Sequence, residues 1–430
     1  MCPRVPSFTQ KIVWCLATAL YFGSTPIASA VGVEPPGAAE TDRLERLYDP
    51  ELKLAESGEP TFLVRLLKGQ TTVRLKSTSA LRFKMGAMEP AEIIVPGKTD
   101  WVIGIEDIIP GRTKHWVAAE RFSGDDAYRA SLARSRWVGR GYAVRVVETG
   151  ALINLKDHSF DSRQVTIAIA PEATHRAAKI RAARVRQSRQ VLGTIIEQVV
   201  KRSVGTFVAS HPKTGEQLRA PRMLTVEPVD PDGTVEISGV SWPGRRRGDR
   251  RYRGQLIFLM GKDRKLLVVN RVSAETLVSG VVPSEIYPRA PLEVLKAQAV
   301  VARGFLVSKV RNRHRGEPYH LCAESHCQAY HGVTRTTPHT DAAVTATRGQ
   351  VMLFSNVLID TTYHSACGGH TEAYDKMWGG ERSRAMPGVS DGIGQRLDIS
   401  DASLKTFLKS PPAGAWCRKS ATQSKVFRWT

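Results

Sequence analysis

The chain has 430 residues, 42% of them hydrophobic and 24% charged, so it is long enough for more than one buried core and too apolar for a disordered chain. Its 62 Lys and Arg against 41 Asp and Glu give a net charge of +21. Such a surface attracts polyanions, whether nucleic acid, anionic headgroups or acidic wall polymer, and charge alone does not choose among them. The first predicted element is a leader. Arg4 and Lys11 precede an apolar run, Ile12 to Phe22, too short to span a bilayer comfortably, and Ala28-Ser29-Ala30 supplies an A-x-A site. Residues 1–30 therefore read as a cleaved signal peptide, with an N-terminal membrane anchor as the alternative. The expected location is the periplasm, the cell wall or the extracellular space. There the basic surface would meet wall polymer or a membrane surface and no nucleic acid. Cys2 and Cys15 would leave with the leader. Cys322, Cys327, Cys367 and Cys417 remain, and four cysteines allow three full pairings.

Residues 31–59 form a linker that begins with the Pro/Gly/Ala-rich VGVEPPGAAE, and residues 60–254 form a β-rich accessory region. TFLVRLL, TTVRLK, EIIVPG and DWVIGIEDIIPG are short, β-branched runs broken by turn residues, as antiparallel strands require. The stretch from His115 to Glu148 reads strand, helix, strand, with Tyr128, Leu132 and Ala133 on one helix face. This 115–148 unit resembles half of a SPOR-type repeat, a module that binds peptidoglycan glycan strands; a generic βαβ piece is the alternative. Residues 173–202 are predicted as a basic helix whose Val191, Leu192, Ile195 and Val199 face a core. SWPGRRRGDRRYRG then places six arginines between Arg245 and Arg253 in one expected loop, the densest positive patch of the chain.

The chemistry is expected after residue 254. The run LVSGVV reads as a strand ending at Pro283, which leaves Glu285 in a loop framed by Pro288 and Pro291. Pro291 fits the first turn of a helix, and Leu292, Leu295, Ala299, Ala302 and Leu306 recur at helical spacing beyond it. A carboxyl so placed is expected to be partly desolvated, the condition that a general acid at neutral pH requires. In HLCAESHCQAYHG, Cys322, His326 and Cys327 have the chemistry of a tetrahedral zinc site, with Cys367 as a further candidate ligand and His320 and His331 flanking. A disulfide among Cys322, Cys327 and Cys367 is the competing expectation. In TTYHSACGGHTEAY a strand is expected to lead into a Gly368-Gly369 turn that lets a sugar approach the backbone closely. Tyr363, His364, Ser365 and Thr371 are its candidate hydrogen-bonding groups.

Three segments, VVPSEIYPRAPLEVLKAQAVVARGFLV, YHLCAESHCQAYHG and DAAVTATRGQVMLFSNVLIDTTYHSACGGHTEAYDKMWGG, together resemble the SpoIID/LytB family over roughly residues 271–380. The family includes peptidoglycan lytic transglycosylases of sporulation and proteins called amidase enhancers. The resemblance implies a mixed α+β SpoIID-type domain over 255–430, in an α+β protein overall. Family members commonly continue where this chain ends at KVFRWT, so an incomplete last segment is expected. It places the catalytic glutamate at Glu285 and gives Gln298 and Arg303, in the A-Q-A and A-R patterns, the roles of holding substrate or orienting Glu285. The implied reaction breaks the MurNAc–GlcNAc bond, with strands stripped of stem peptides as the preferred substrate that the resemblance suggests, and closes a 1,6-anhydro ring. One carboxyl can serve as acid and then base, unlike the carboxyl pairs of ordinary glycosidases. Some members carry zinc, which would be structural, since catalysis by Glu285 requires no cofactor. The alternative is a non-catalytic glycan-binding enhancer of a cell-wall amidase; a zinc hydrolase is more distant.

Overall fold

The computed structural model describes residues 47–48, 52–55, 57–87, 90–155, 158–188, 191–240, 248–378, 382–392, 407, 409 and 414–419. The expected leader and Arg245 to Arg247 lie outside them. No helix among the described residues is long and apolar enough to cross a membrane. The chain divides into two compact units, the first reaching residue 352 and also taking 356–358, the second comprising 353–355 and 359–430.

The first unit is α+β and β-rich. Its largest sheet has eight strands and is built from both sides of residue 254. Pro60–Gln70 pairs antiparallel with Leu266–Ser273, which pairs with Gln255–Met260, then Leu224–Pro228, Leu81–Met85 and Ala91–Val95. Residue 254 is thus no folding boundary. The apolar runs on either side of it supply adjacent strands of one core, in which Phe62, Phe83, Leu256, Phe258 and Val268 are fully buried. A six-stranded sheet runs in the order Gln217–Pro221, Val204–Ser210, Thr99–Ile109, Val73–Ser77, Val235–Val240 and Gly248–Tyr252.

The third sheet holds the strand, helix, strand stretch expected over residues 115–148 together with a second such stretch. Arg112–Ser123 leads into helix α1 (Ala127–Gly139) and Val144–Thr149; Gln164–Glu172 leads into helix α2 (His175–Ser188) and Ile195–Lys201. This is a βαββαβ order. The first and third strands lie at the centre, the fourth and second at the edges, and every neighbouring pair is antiparallel. Both helices cover one face, where Ala133, Trp137, Ala182 and Val185 meet Val117, Ile167 and Ile169. Two expectations are corrected here. The buried α1 face is Ala130, Ala133 and Trp137, whereas Tyr128 and Leu132 are exposed. The basic helix ends at Ser188, and Ile195 and Val199 belong to an edge strand, as their β-branched content favours.

The site rests on three further helices: α3 (Ala274–Glu285), α4 (Leu292–Ser308) and α5 (Pro338–Ala346). The Leu266–Ser273 strand passes straight into α3 through Ser273, whose hydroxyl accepts the Thr276 N–H. The run expected as a strand is therefore a helix. Leu277, Val278, Gly280, Val281 and Val282 are all buried, so α3 has no polar face to reveal its period. Pro283 lacks the N–H that would continue the hydrogen-bond ladder, and α3 stops two residues later. α4 forms where the apolar spacing predicted it, burying Leu295, Ala299, Ala302 and Leu306.

Gly280 lets α3 approach Tyr330. A Cβ there would lie 2.5 Å from Tyr330 Cε2 and 2.6 Å from the Gly332 carbonyl oxygen. Gly280→Ala is expected to destabilise the first unit by about 1–3 kcal/mol through overpacking, despite the better helix propensity of Ala. Denaturant unfolding measures it, and a neutral or stabilising effect would contradict the close contact.

Candidate active site and metal centre

Glu285 is the last residue of α3 and is half-buried. The Ala329 N–H donates to its Oε1, across from a segment, 327–331, that runs past the end of the helix. That segment is fixed at several points. The His331 N–H donates to Ser284 Oγ at 3.2 Å, and Ser284 Oγ donates to the Gly280 carbonyl at 2.7 Å. Tyr330, 1% exposed, donates its hydroxyl to Asn270 Oδ1 at 3.0 Å. Asn270 in turn donates to the Arg253 and Gln255 carbonyls, so the segment is tied to the main sheet. A backbone N–H thus takes part in orienting the carboxyl.

Gln328, next to that N–H, was not singled out in the sequence. It is 3% exposed, yet neither its amide nitrogen nor its amide oxygen has a hydrogen-bond partner. Buried amides are ordinarily satisfied, so an orphaned one in the segment that binds the Glu285 carboxyl marks a place for a polar ligand or an ordered water. Gln298, on α4, has a buried Nε2 that is also unpartnered. Tyr287, two residues beyond Glu285, is 66% exposed, an aromatic face open to solvent.

Arg303 lies elsewhere. It is 4% exposed and grips Glu275 with two hydrogen bonds, Nε to Oε1 at 2.8 Å and Nη2 to Oε2 at 2.6 Å. It also donates to Thr347 Oγ1 and to the Val344 carbonyl, and the Gly349 N–H reaches Glu275 Oε1. Glu275 opens α3 and Glu285 closes it, a separation of about 15 Å along the axis. Arg303 therefore joins α3, α4 and the end of α5 and does not orient Glu285. The helical spacing put it beside the apolar stripe, but only the fold shows which carboxylate it meets.

The cysteine–histidine cluster forms, with one change of membership. His314, Cys322, His326 and Cys327 bring one ligand atom each within 4.8 Å of one another. Cys322 Sγ and Cys327 Sγ each lie 3.6 Å from His326 Nδ1, and His314 Nε2 lies 3.2 Å from Cys327 Sγ. A zinc tetrahedron with its usual bond lengths has S···N edges of about 3.6 Å, so this Cys2His2 set fits the ion. Cys322 is held well below the usual thiol range, chiefly by its hydrogen bond with Cys327, while Cys327 is pushed up by the same bond. The pair thus shares a proton that a cation would displace. His314 sits in the arginine-rich turn before the motif at φ +50, with no ligand-like spacing to announce it. His320 accepts the Leu63 N–H through Nδ1 and, like His331, stands outside the cluster. If zinc is held, elemental analysis should find about one per chain at this cluster, and Cys327→Ser should release it. Because Cys327 is two residues from Ala329, metal removal should also speed hydrogen exchange at the Ala329 amide. Unchanged exchange after complete chelation would separate the metal from the carboxyl.

In the second unit, Gly368 and Gly369 make the expected turn, at φ 65 and 105. Residues 361–367, expected as a strand leading into it, form none, and His370 makes an isolated bridge with Ser390. The Thr371 N–H and hydroxyl are engaged with Val389, whereas His364 and Ser365 are exposed and Tyr363 is half-buried. Cys367 is not part of the Cys2His2 set but clusters with Asp391 and Cys417. Of the expected arginine loop, Arg250 is 8% exposed within a strand, while Arg251 and Arg253 are exposed.

Comparison with known proteins places the site in context. Residues 262–354 match the family model described as SpoIID, Stage II sporulation protein. An uncharacterized protein of Brachyspira hyodysenteriae is 32% identical over 128 residues, 30% of this chain and 34% of that protein. The amidase enhancer of Bacillus subtilis is 29% identical over 156 residues, 34% of this chain and 20% of that protein. The chain thus spans about a third and a fifth of the lengths of these relatives. Glu285, Gln298, Cys322, Cys327 and Gln328 all lie inside the matched segment.

Proposed function

We propose that this chain, which carries a SpoIID domain at residues 262–354, is an exported lytic transglycosylase acting on peptidoglycan glycan strands. The SpoIID match and the amidase-enhancer relative support a function related to the cell wall. The observation that carries the finer reading is the half-buried Glu285 carboxyl, held on one oxygen by the N–H of Ala329, the residue that follows the buried, unpartnered Gln328. In this reading Glu285 protonates the glycosidic oxygen as the bond to muramic C1 breaks. The same group, now a carboxylate, takes the proton of the C6 hydroxyl as that oxygen closes on C1. Orientation matters more than a second acid, because both proton transfers pass through one group. Gln328 and Gln298 would give hydrogen bonds to sugar hydroxyl or acetamido groups, and Tyr287 would offer a face to a pyranose ring. Residues Tyr363, His364, Ser365, Gly368, Gly369 and Thr371 are kept as further glycan contacts. Zinc at His314, Cys322, His326 and Cys327 would hold the 327–331 segment in place and take no part in bond breaking.

The second reading, favoured by the name of the Bacillus subtilis relative, is a non-catalytic enhancer of a wall amidase. Incubation of purified chain with glycan strands, with and without an amidase, distinguishes them. Shortened strands from the chain alone are expected. Intact strands, with stem peptides released faster only when the amidase is present, would replace the enzyme reading with the enhancer.

A further inference from the structure

Among the described residues of the second unit Ala415 is the only fully buried apolar one, although the turn at Gly368-Gly369 is closely defined. Small units without an adequate apolar core depend on covalent or metal staples. Three stretches converge where such a staple could act. Asp391 N–H donates to the Gly369 carbonyl at 3.0 Å, and Cys417 N–H donates to Asp391 Oδ2 at 2.8 Å. Cys367 Sγ then lies 3.3 Å from Cys417 Sγ, across fifty positions of sequence. Both thiols are only half-buried, within reach of a reagent from solvent.

We propose that Cys367 and Cys417 form a disulfide that latches the 414–419 segment onto the Gly368-Gly369 turn. A metal is the competing staple, and two observations disfavour it. The cluster offers three ligands among the described residues where the Cys2His2 set offers four. One Asp391 oxygen is, moreover, already committed to the Cys417 amide. The chemistry balances as thiol–disulfide exchange. One thiolate attacks the disulfide of an exported dithiol oxidoreductase, forming a mixed disulfide. The second then displaces that enzyme as its dithiol, so two electrons and two protons leave this chain with the oxidoreductase. The inference rests on export, as the proposed function does, but not on cleavage of glycan.

The test is peptide mapping of the full-length chain, folded in a glutathione redox buffer at the poise of an oxidising compartment and alkylated without reduction. The expected result is one peptide pair joining Cys367 to Cys417, blocked to alkylation until dithiothreitol is added. Reduction, or Cys417→Ser, should then accelerate amide exchange at Gly369 and Thr371 several-fold while leaving exchange in α3 unchanged. Alkylation of both thiols in the untreated protein, joining of either to Cys322 or Cys327, or a second zinc per chain lost in Cys417→Ser would each overturn it. Since no step reads activity, an inactive chain would count against the transglycosylase and leave this result standing.

Discussion

Glu285→Gln should cut glycan-strand cleavage by about 10²–10⁴-fold, the usual contribution of a positioned acid–base group, without weakening strand binding. Glutamine keeps the oxygen that accepts the Ala329 N–H, so the end of α3 and the 327–331 segment should stay in register. It removes only the transferable proton. The unfolding midpoint should therefore change little, which separates lost chemistry from lost structure. Cleavage equal to that of the parent would remove Glu285 from the mechanism and favour the enhancer reading.

Breaking the Glu275–Arg303 pair should give the largest stability change in the first unit. Arg303→Met leaves Glu275 buried, with the Gly349 backbone N–H as the remaining donor to its carboxylate among the described contacts. An uncompensated buried charge of this kind costs about 3–5 kcal/mol. The double variant Glu275→Leu, Arg303→Met removes both charges and should recover most of that loss. Denaturant unfolding of the two variants gives the coupling directly, and Arg303→Lys should behave as a disruption because lysine cannot reproduce the forked grip. The refolded double variant also separates the two roles considered for Arg303. Near-parental cleavage fits its place at the far end of α3, whereas a stable but inactive double variant would restore it to the substrate.

Much of this was legible along the chain, and the exceptions share a cause. The strands of the accessory region alternate or carry β-branched runs, and α4 shows a polar face beside its apolar stripe, so both declared their period. α3 is buried nearly all round and rich in valine, so local preference spoke for a strand and tertiary packing overrode it. Glu285 was found through its motif, but its orienting N–H comes from residue 329, and no local pattern joins the two. Cys322, His326 and Cys327 stood together in sequence, whereas His314 arrives through a turn at positive φ, and Cys367 finds Cys417 instead. Gln328 could have been read only as one polar residue among several. Its significance is burial without a partner, a property of the fold.

The central claim is that the chain itself breaks glycan strands through an intramolecular attack. Cleavage of denuded strands by the purified chain in ¹⁸O-enriched water, followed by mass spectrometry of the new muramic ends, tests it most directly. The expected products are 1,6-anhydro ends that carry no ¹⁸O, formed by the parent and not by Glu285→Gln. Reducing ends that have taken up ¹⁸O would mean hydrolysis, and no new ends at all would mean that the chain binds glycan without cutting it.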